Sequence, residues 1–263
     1  MCANPCRVDV VDRSRGKPPA VPAAPSLPAT HRCMLMTVAQ TVRIDHLVVV
    51  APTLEDGVAH VTASLDVSAD AFSPGGQHPG MGTHNGLLGL WGGMYLEVIA
   101  IDPSAPAPER KRWFGLDSKA VKARLADGPY LAHWVARVER PRQLGLWQQQ
   151  YPDRIPPLVP MQRGDFAWHI SVPENGAFPT WKRNGDGLLP SLIQWDLPTN
   201  PSDRLPYRGV ALKRLTGFHA NVTSLAKHLD WLSASSLIAL EPSLVGPSLA
   251  AEFETPNGPR TLR

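Results

Sequence analysis

The sequence predicts an α+β protein built from repeated strand–helix–strand–strand–strand units. Three observations predict it. β-branched apolar runs bounded by Pro or Gly alternate with short stretches of helical periodicity. The order of these segments over residues 41–102 recurs over residues 129–197. The composition, 43% apolar and 19% charged, is that of a folded chain, which excludes wholesale disorder. No apolar run approaches the roughly 18 residues that a membrane-spanning helix needs, which excludes that class too.

The elements follow in order. Arg43–Ala51 is β-branched and stops at Pro52, as a strand does. Thr53–Leu65 reads as a helix: Thr53 suits the N-cap, Glu55 and Asp56 suit the first turn, and Leu54, Val58, Val61 and Leu65 share a face. Gly75–Gly86 reads as a glycine-rich loop. Leu87–Trp91 and Met94–Asp102 read as a hairpin turned at Gly92–Gly93, with a further strand expected before it. In the second copy, Leu131–Val138 is a strand, and Arg142–Gln150 is a helix opened by Pro141. Strands follow near Leu158–Gln162, Phe166–Val172 and Leu188–Asp196. A shortened third unit spans 210–256, with its helix at Thr223–Leu232. Ser104–Gly128 joins the first two copies, and Asn175–Gly187 reads as a surface loop or lid inside the second.

Residues 1–36 differ from the rest. They hold six prolines, all three cysteines (Cys2, Cys6, Cys33) and five basic against two acidic side chains. Little in them can offset the entropy of ordering, so they read as a disordered tail, or as a stretch upstream of a true start at Met34 or Met36. The remaining residues carry 21 basic and 21 acidic side chains. A neutral body argues against nucleic acid as the main partner. Its lack of cysteine excludes a disulfide framework and Cys-based chemistry there, and fits a reducing, cytoplasmic setting.

Polar residues recur within the apolar strands. His46 shares a face with Ile44, Val48 and Val50, and Glu97 alternates with Tyr95, Ile99 and Ile101. His133 shares a face with Leu131 and Val135, and Gln194 with Leu192. A carboxylate inside YLEVIAI is costly to bury without a metal, a cation or several hydrogen bonds. Two imidazoles, a carboxylate and an amide oxygen make a reasonable ligand set for a divalent first-row metal. The bland alternatives are a His46 bonded to Asp45, a core-edge His133, and a Glu97 paired with an arginine such as Arg137.

The runs IDHLVVVAPTLEDGV, GGQHPGMGTHN and YLEVIAIDP resemble the glyoxalase-like domain family. The repeated unit resembles its parent, the vicinal oxygen chelate superfamily of glyoxalases, extradiol dioxygenases and bleomycin resistance proteins. The resemblance covers about residues 41–256. It implies paired βαβββ modules (41–102 and 129–197) forming a curved mixed sheet around a cleft, with a partial third βαββ unit. Metal ligands there come from the first and last strands of the modules, and His46, Glu97, His133 and Gln194 fall on those positions in order. The implied function is a small-molecule enzyme of lyase or isomerase type. A divalent metal (Zn, Ni, Mn or Fe) would polarise adjacent substrate oxygens, and Glu97 and His84 would be catalytic. His78, Thr83, Asn85, Trp181 and Arg183 would bind substrate. A homodimer also fits the resemblance.

Two alternatives stand beside this reading. One is a metal-free small-molecule binding or resistance-type protein, which eight tryptophans would suit. The other is an Fe(II) extradiol-type dioxygenase using His46, His133 and Glu97 alone. No nucleotide cofactor is expected, because the glycine spacing of 75–86 does not match a dinucleotide fingerprint. No GxSxG, P-loop or HExxH is present, so serine hydrolase, phosphotransferase and zincin readings lose their support. His169 lies opposite Trp168 in strand alternation, and His228 reads as an exposed helix residue.

Overall fold

The computed structural model describes residues 42–263, so the readings of the tail and of its cysteines lie outside the described residues. The first unit runs β1 (Val42–Val50), α1 (Leu54–Leu65), β2 (Ser73–His78), β3 (Thr83–Leu90) and β4 (Met94–Ile101). After a linker carrying α2 (Lys119–Leu125), the second runs β5 (Tyr130–Val138), α3 (Leu144–Gln150), β6 (Leu158–Arg163), β7 (Phe166–Ser171) and β8 (Ser191–Trp195). These eight strands form one mixed sheet in the order β2-β3-β4-β1-β5-β8-β7-β6. The first strand of each unit lies parallel to its last, and β1 and β5 join the units antiparallel. The sheet curves until its two edge strands, β2 and β6, approach one another.

Local sequence explains the ends of these elements. The Thr53 hydroxyl accepts from the Asp56 backbone N–H at 3.1 Å and caps α1, satisfying a donor that the helix itself leaves free. Gly92 and Gly93 take φ of 88° and 75° in the hairpin between β3 and β4, a region open to glycine at little cost. The stretch Gly75–Gly86 is not a loop: it is mostly β2 and β3, joined by a single 3-10 turn at Pro79–Met81. Its glycines serve side-chain packing, as shown below, more than chain reversal.

The third unit comprises β9 (Ala211–His219), α4 (Val222–Trp231), β10 (Ala239–Pro242) and β11 (Ser248–Thr255), followed by β12 (Gly258–Leu262). They form a second sheet in the order β10-β9-β11-β12. Its element order repeats that of the modules but its pairing does not, because β9 lies parallel to the next strand, β10.

Two apolar clusters divide the molecule. One lies on the convex side, where Leu47, Leu96, Val98, Trp134 and Leu192 pack with Leu65 of α1 and with Leu215 and Phe253 of the second sheet. The other fills the concave side, with Val48, Ile99, Val135, Ile170, Ile193 and Trp195. The linker enters this inner cluster through Trp113, Phe114 and Leu116, all buried. No helix among the described residues is long and apolar enough to cross a membrane.

Candidate functional site

Polar side chains gather at one point on the concave face. There the antiparallel pairing of β1 and β5 slips by one residue, leaving Asp45 as an extra residue between Ile44 and His46. Such a bulge breaks strict alternation and lets two consecutive side chains face the same way. Asp45 and His46 therefore meet at the site, both buried. A second slip, at Ala132 of β5, precedes His133 in the same manner. The two first strands thus share a bulge immediately before their histidines.

His46 is held on both sides. Its Nδ1 lies 2.7 Å from Asp45 Oδ1, and its Nε2 lies 3.5 Å from Glu97 Oε2. Tyr95 stacks on the ring at 4.6 Å. The Tyr95 hydroxyl is held protonated well above its usual range, first by burial and then by the nearby Asp45 and Glu97 carboxylates. Asp45 Oδ2 accepts from Trp195 Nε1 at 2.9 Å and faces Arg137 Nη1 at 3.5 Å. Three partners thus compensate a carboxylate that has no solvent exposure.

The array continues beyond Glu97. Asn85 Nδ2 donates a short hydrogen bond to Glu97 Oε1. Asn85 Oδ1 accepts from the Gly76 N–H at 2.9 Å and from Arg163 Nη1 at 3.1 Å. Arg163 belongs to β6, so its side chain crosses the seam between the two edges of the sheet. A methyl group at Gly75 would overlap Asn85 Oδ1, and one at Gly76 would stand 2.6 Å from Arg163 Cδ. Absent side chains in β2 are therefore what admit the amide and the guanidinium. His78 Nδ1 lies 3.1 Å from Thr83 Oγ1, and burial pushes the His78 pKa down to about 4, leaving it neutral near pH 7. Trp113 meets His78 edge-on at 5.0 Å, and its indole Nε1 is buried without a hydrogen-bond partner. His46, His78, Asn85, Glu97, Arg163, Trp113, Phe114, Trp168 and Trp195 enclose a cavity of only about 20 Å³, room for one water molecule.

The sequence-predicted site residues divide into two groups. His46, Glu97, His78, Thr83 and Asn85 come together here. The others do not. His84 is one residue out of phase with Asn85 and lies opposite Ala100, on the other face of the sheet. Trp181 packs against His228 at 5.2 Å and beneath the Arg154 guanidinium at 4.1 Å, and Arg183 is exposed in the adjoining turn. Neither lines the cavity. His228 is buried rather than exposed, stacked between Trp181 and Trp231, and burial lowers its pKa to about 4. Trp168 is the member of its pair that faces the cavity, and His169 is exposed beside Asp196.

The expected four-residue metal set does not fit. Gln194 points away from the cleft: its Oε1 accepts from Leu144 N at 2.9 Å and its Nε2 donates to Arg142 O at 2.9 Å, fastening the start of α3. Both nitrogens of His133 are engaged, with Gly187 O at 2.9 Å and with Ser191 Oγ at 3.1 Å. Burial pushes its pKa down to about 3. Register explains the misplacement. Val48 pairs with Glu97 in the first module, and its counterpart Val135 pairs with Ser191 in the second, so Ser191 rather than Gln194 occupies the place of Glu97. Among the described residues, no group of three His, Cys, Asp or Glu side chains is arranged to hold a metal ion. The triad His46, His133 and Glu97 needed by the dioxygenase alternative is likewise not assembled. Arg137, the candidate cation for Glu97, instead pairs with Asp45 and Glu139.

Sequence reasoning missed Arg163, Tyr95, Trp113 and Trp195 as site residues. Tyr95 and Trp195 had a signal, alternation with Glu97 and with Ile193. Arg163 and Trp113 had none, because a seam and a linker bring them in.

No curated protein matches the chain. Several solved structures resemble it. A hypothetical protein from Staphylococcus aureus is 13% identical over 72% of this chain and 75% of that one, with a TM-score of 0.49. Methylmalonyl-CoA epimerase from Mycobacterium tuberculosis is 14% identical over 61% and 92%, with a TM-score of 0.36. The Streptomyces coelicolor methylmalonyl-CoA epimerase is 16% identical over 60% and 98%, with a TM-score of 0.33. The family model described as a glyoxalase-like domain matches residues 44–233, which take in both βαβββ units but for the first two residues of β1, and every residue of the polar array. The chain belongs to the glyoxalase-like domain family.

Proposed function

We propose that the Asp45–His46–Glu97 array is the reactive centre of a small-molecule enzyme of lyase or isomerase type, in which Glu97 moves a proton beside a substrate carbonyl. One observation carries this reading: a buried imidazole with a carboxylate at each nitrogen, opening on a cavity walled by aromatic rings. Asp45 accepts a hydrogen bond from Nδ1–H and so fixes the tautomer and orientation of the ring. His46 Nε2 then faces Glu97 Oε2 across 3.5 Å, longer than a formed hydrogen bond, as is common for a catalytic pair before substrate arrives. Asn85 occupies the other Glu97 oxygen and leaves Oε2 for the proton. Arg163 and the unpartnered indole N–H of Trp113 are the donors suited to negative charge developing on a substrate oxygen. No step is assigned to a metal, since only His46 and Glu97 of the expected ligands face one another.

The test is a panel of 2-oxo acids and thioesters bearing an acidic C–H, incubated with the protein in deuterium oxide. Deuterium incorporation by the wild type, reduced about a thousandfold in Glu97→Gln, is the expected result. Equal incorporation by the variant overturns the reading. A second reading, a small-molecule binding protein, is favoured by the tryptophan walls of the cavity. It predicts a ligand that binds and is returned unchanged with no exchange.

A further inference from the structure

A cavity larger than the one at His46 lies elsewhere in the described residues. A space of about 550 Å³ lies where the linker helix α2, the start of β5, the insertion around Phe178 and the second sheet converge. That volume falls within the range of small-molecule sites. Phe114 and Phe178 lie on the His133 ring at 5.3 and 5.2 Å, and these three rings stand between the larger cavity and the polar array. The two are separate sites.

We propose that this cavity binds an amphiphilic carboxylate, with its apolar chain inside and its anionic head at Arg124. The lining is mostly apolar, with Val121, Leu131, Ala132, Phe178 and Leu249. Leu244 and Val245, at the tip beside the mouth, are fully exposed apolar side chains that a bound chain would cover. Charge selects the head group. The Arg124 guanidinium stacks over Tyr130 at 4.1 Å and takes part in no ion pair among the described residues, so its N–H edge is free for a carboxylate. The carboxylate at the mouth, Asp186, is turned to His219 at 3.2 Å.

Calorimetric titration of the full chain with sodium decanoate, and with decanol as the neutral counterpart, tests this. Saturable one-to-one binding of decanoate is expected. Ala120→Trp, on the exposed face of α2 at the mouth, should weaken both probes roughly tenfold by filling the cavity. Arg124→Gln should weaken decanoate about fivefold and leave decanol unchanged. Glu97→Gln should bind decanoate as the wild type does, which separates this site from the proposed reactive centre. Absence of saturable decanoate binding overturns the proposal. So does decanoate affinity that Ala120→Trp or Arg124→Gln leaves unaltered.

Discussion

His133 and Ser191 stand to the second module as His46 and Glu97 stand to the first: Nε2 lies 3.1 Å from the serine hydroxyl in one and 3.5 Å from the carboxylate in the other. The bulged residue before each histidine differs in the same sense, Asp45 in the first and Ala132 in the second. The repeated architecture therefore carries one charged copy of the pair and one neutral copy. The neutral copy is sealed by its own hydrogen bonds and by Phe114 and Phe178. The polar array is concentrated in the first module, and the second contributes the walls and Arg163.

Asp45 is the residue whose loss should cost most. Asp45→Ala leaves the Trp195 indole, the His46 ring and Arg137 without their common acceptor. Breaking such a buried charged contact costs about 3 kcal/mol or more. Urea unfolding should show a lowered midpoint with an unchanged slope, and Asp45→Asn should recover part of the loss. A midpoint unchanged in Asp45→Ala would remove the electrostatic account of the bulge.

Acid should destabilise the fold through its buried histidines. Burial holds His78 near pKa 4 and His133 near 3, whereas both take up protons near 6.5 in the unfolded chain. Between pH 6.5 and about 4 the unfolded state binds more protons, so stability falls as pH falls. The loss is on the order of 2–3 kcal/mol per histidine by pH 4. Denaturation midpoints at pH 7, 5.5 and 4.5 check the slope, and His133→Gln should flatten it.

Gly75 and Gly76 should differ in kind. Gly75→Ala strikes the buried Asn85 amide and should cost about 2 kcal/mol of stability. Gly76→Ala meets the flexible Arg163 stem, which can swing aside at a cost of about 1 kcal/mol or less. Gly76→Ala should therefore stay folded while losing the Arg163–Asn85 contact, which crystallography of the variant would show.

Substitutions of His84 and Gln194 should leave the site intact. His84→Ala changes neither deuterium exchange nor stability beyond about 0.5 kcal/mol, because it lies across the sheet from Asn85. Gln194→Ala should cost about 1–2 kcal/mol by freeing Leu144 N and Arg142 O, again with exchange unaltered. Loss of exchange in Gln194→Ala at full stability would restore it to the site.

Residue types and spacing made the βαβββ repeat readable, because strand and helix periodicities are local. Thr53 as a cap and Gly92–Gly93 as a turn were legible for the same reason. Glu97 and His46 were legible as site residues, since a charged group within an apolar strand demands a partner. Gln194 misled because its similar place in the local motif says nothing of register. A slip of three residues moved the true counterpart to Ser191 and, by strand alternation, turned Gln194 to the outer face.

The sequence by itself determined most of the elements and their order, and that the strands of His46 and Glu97 carry polar groups inward. Those properties follow from backbone propensity and from the cost of burying unpaired polarity. Only the tertiary structure decided which polar groups meet. The bulge at Asp45, the seam crossed by Arg163 and the linker that brings Trp113 onto His78 join residues far apart in the chain. Such contacts depend on strand register and sheet curvature, which no local pattern specifies.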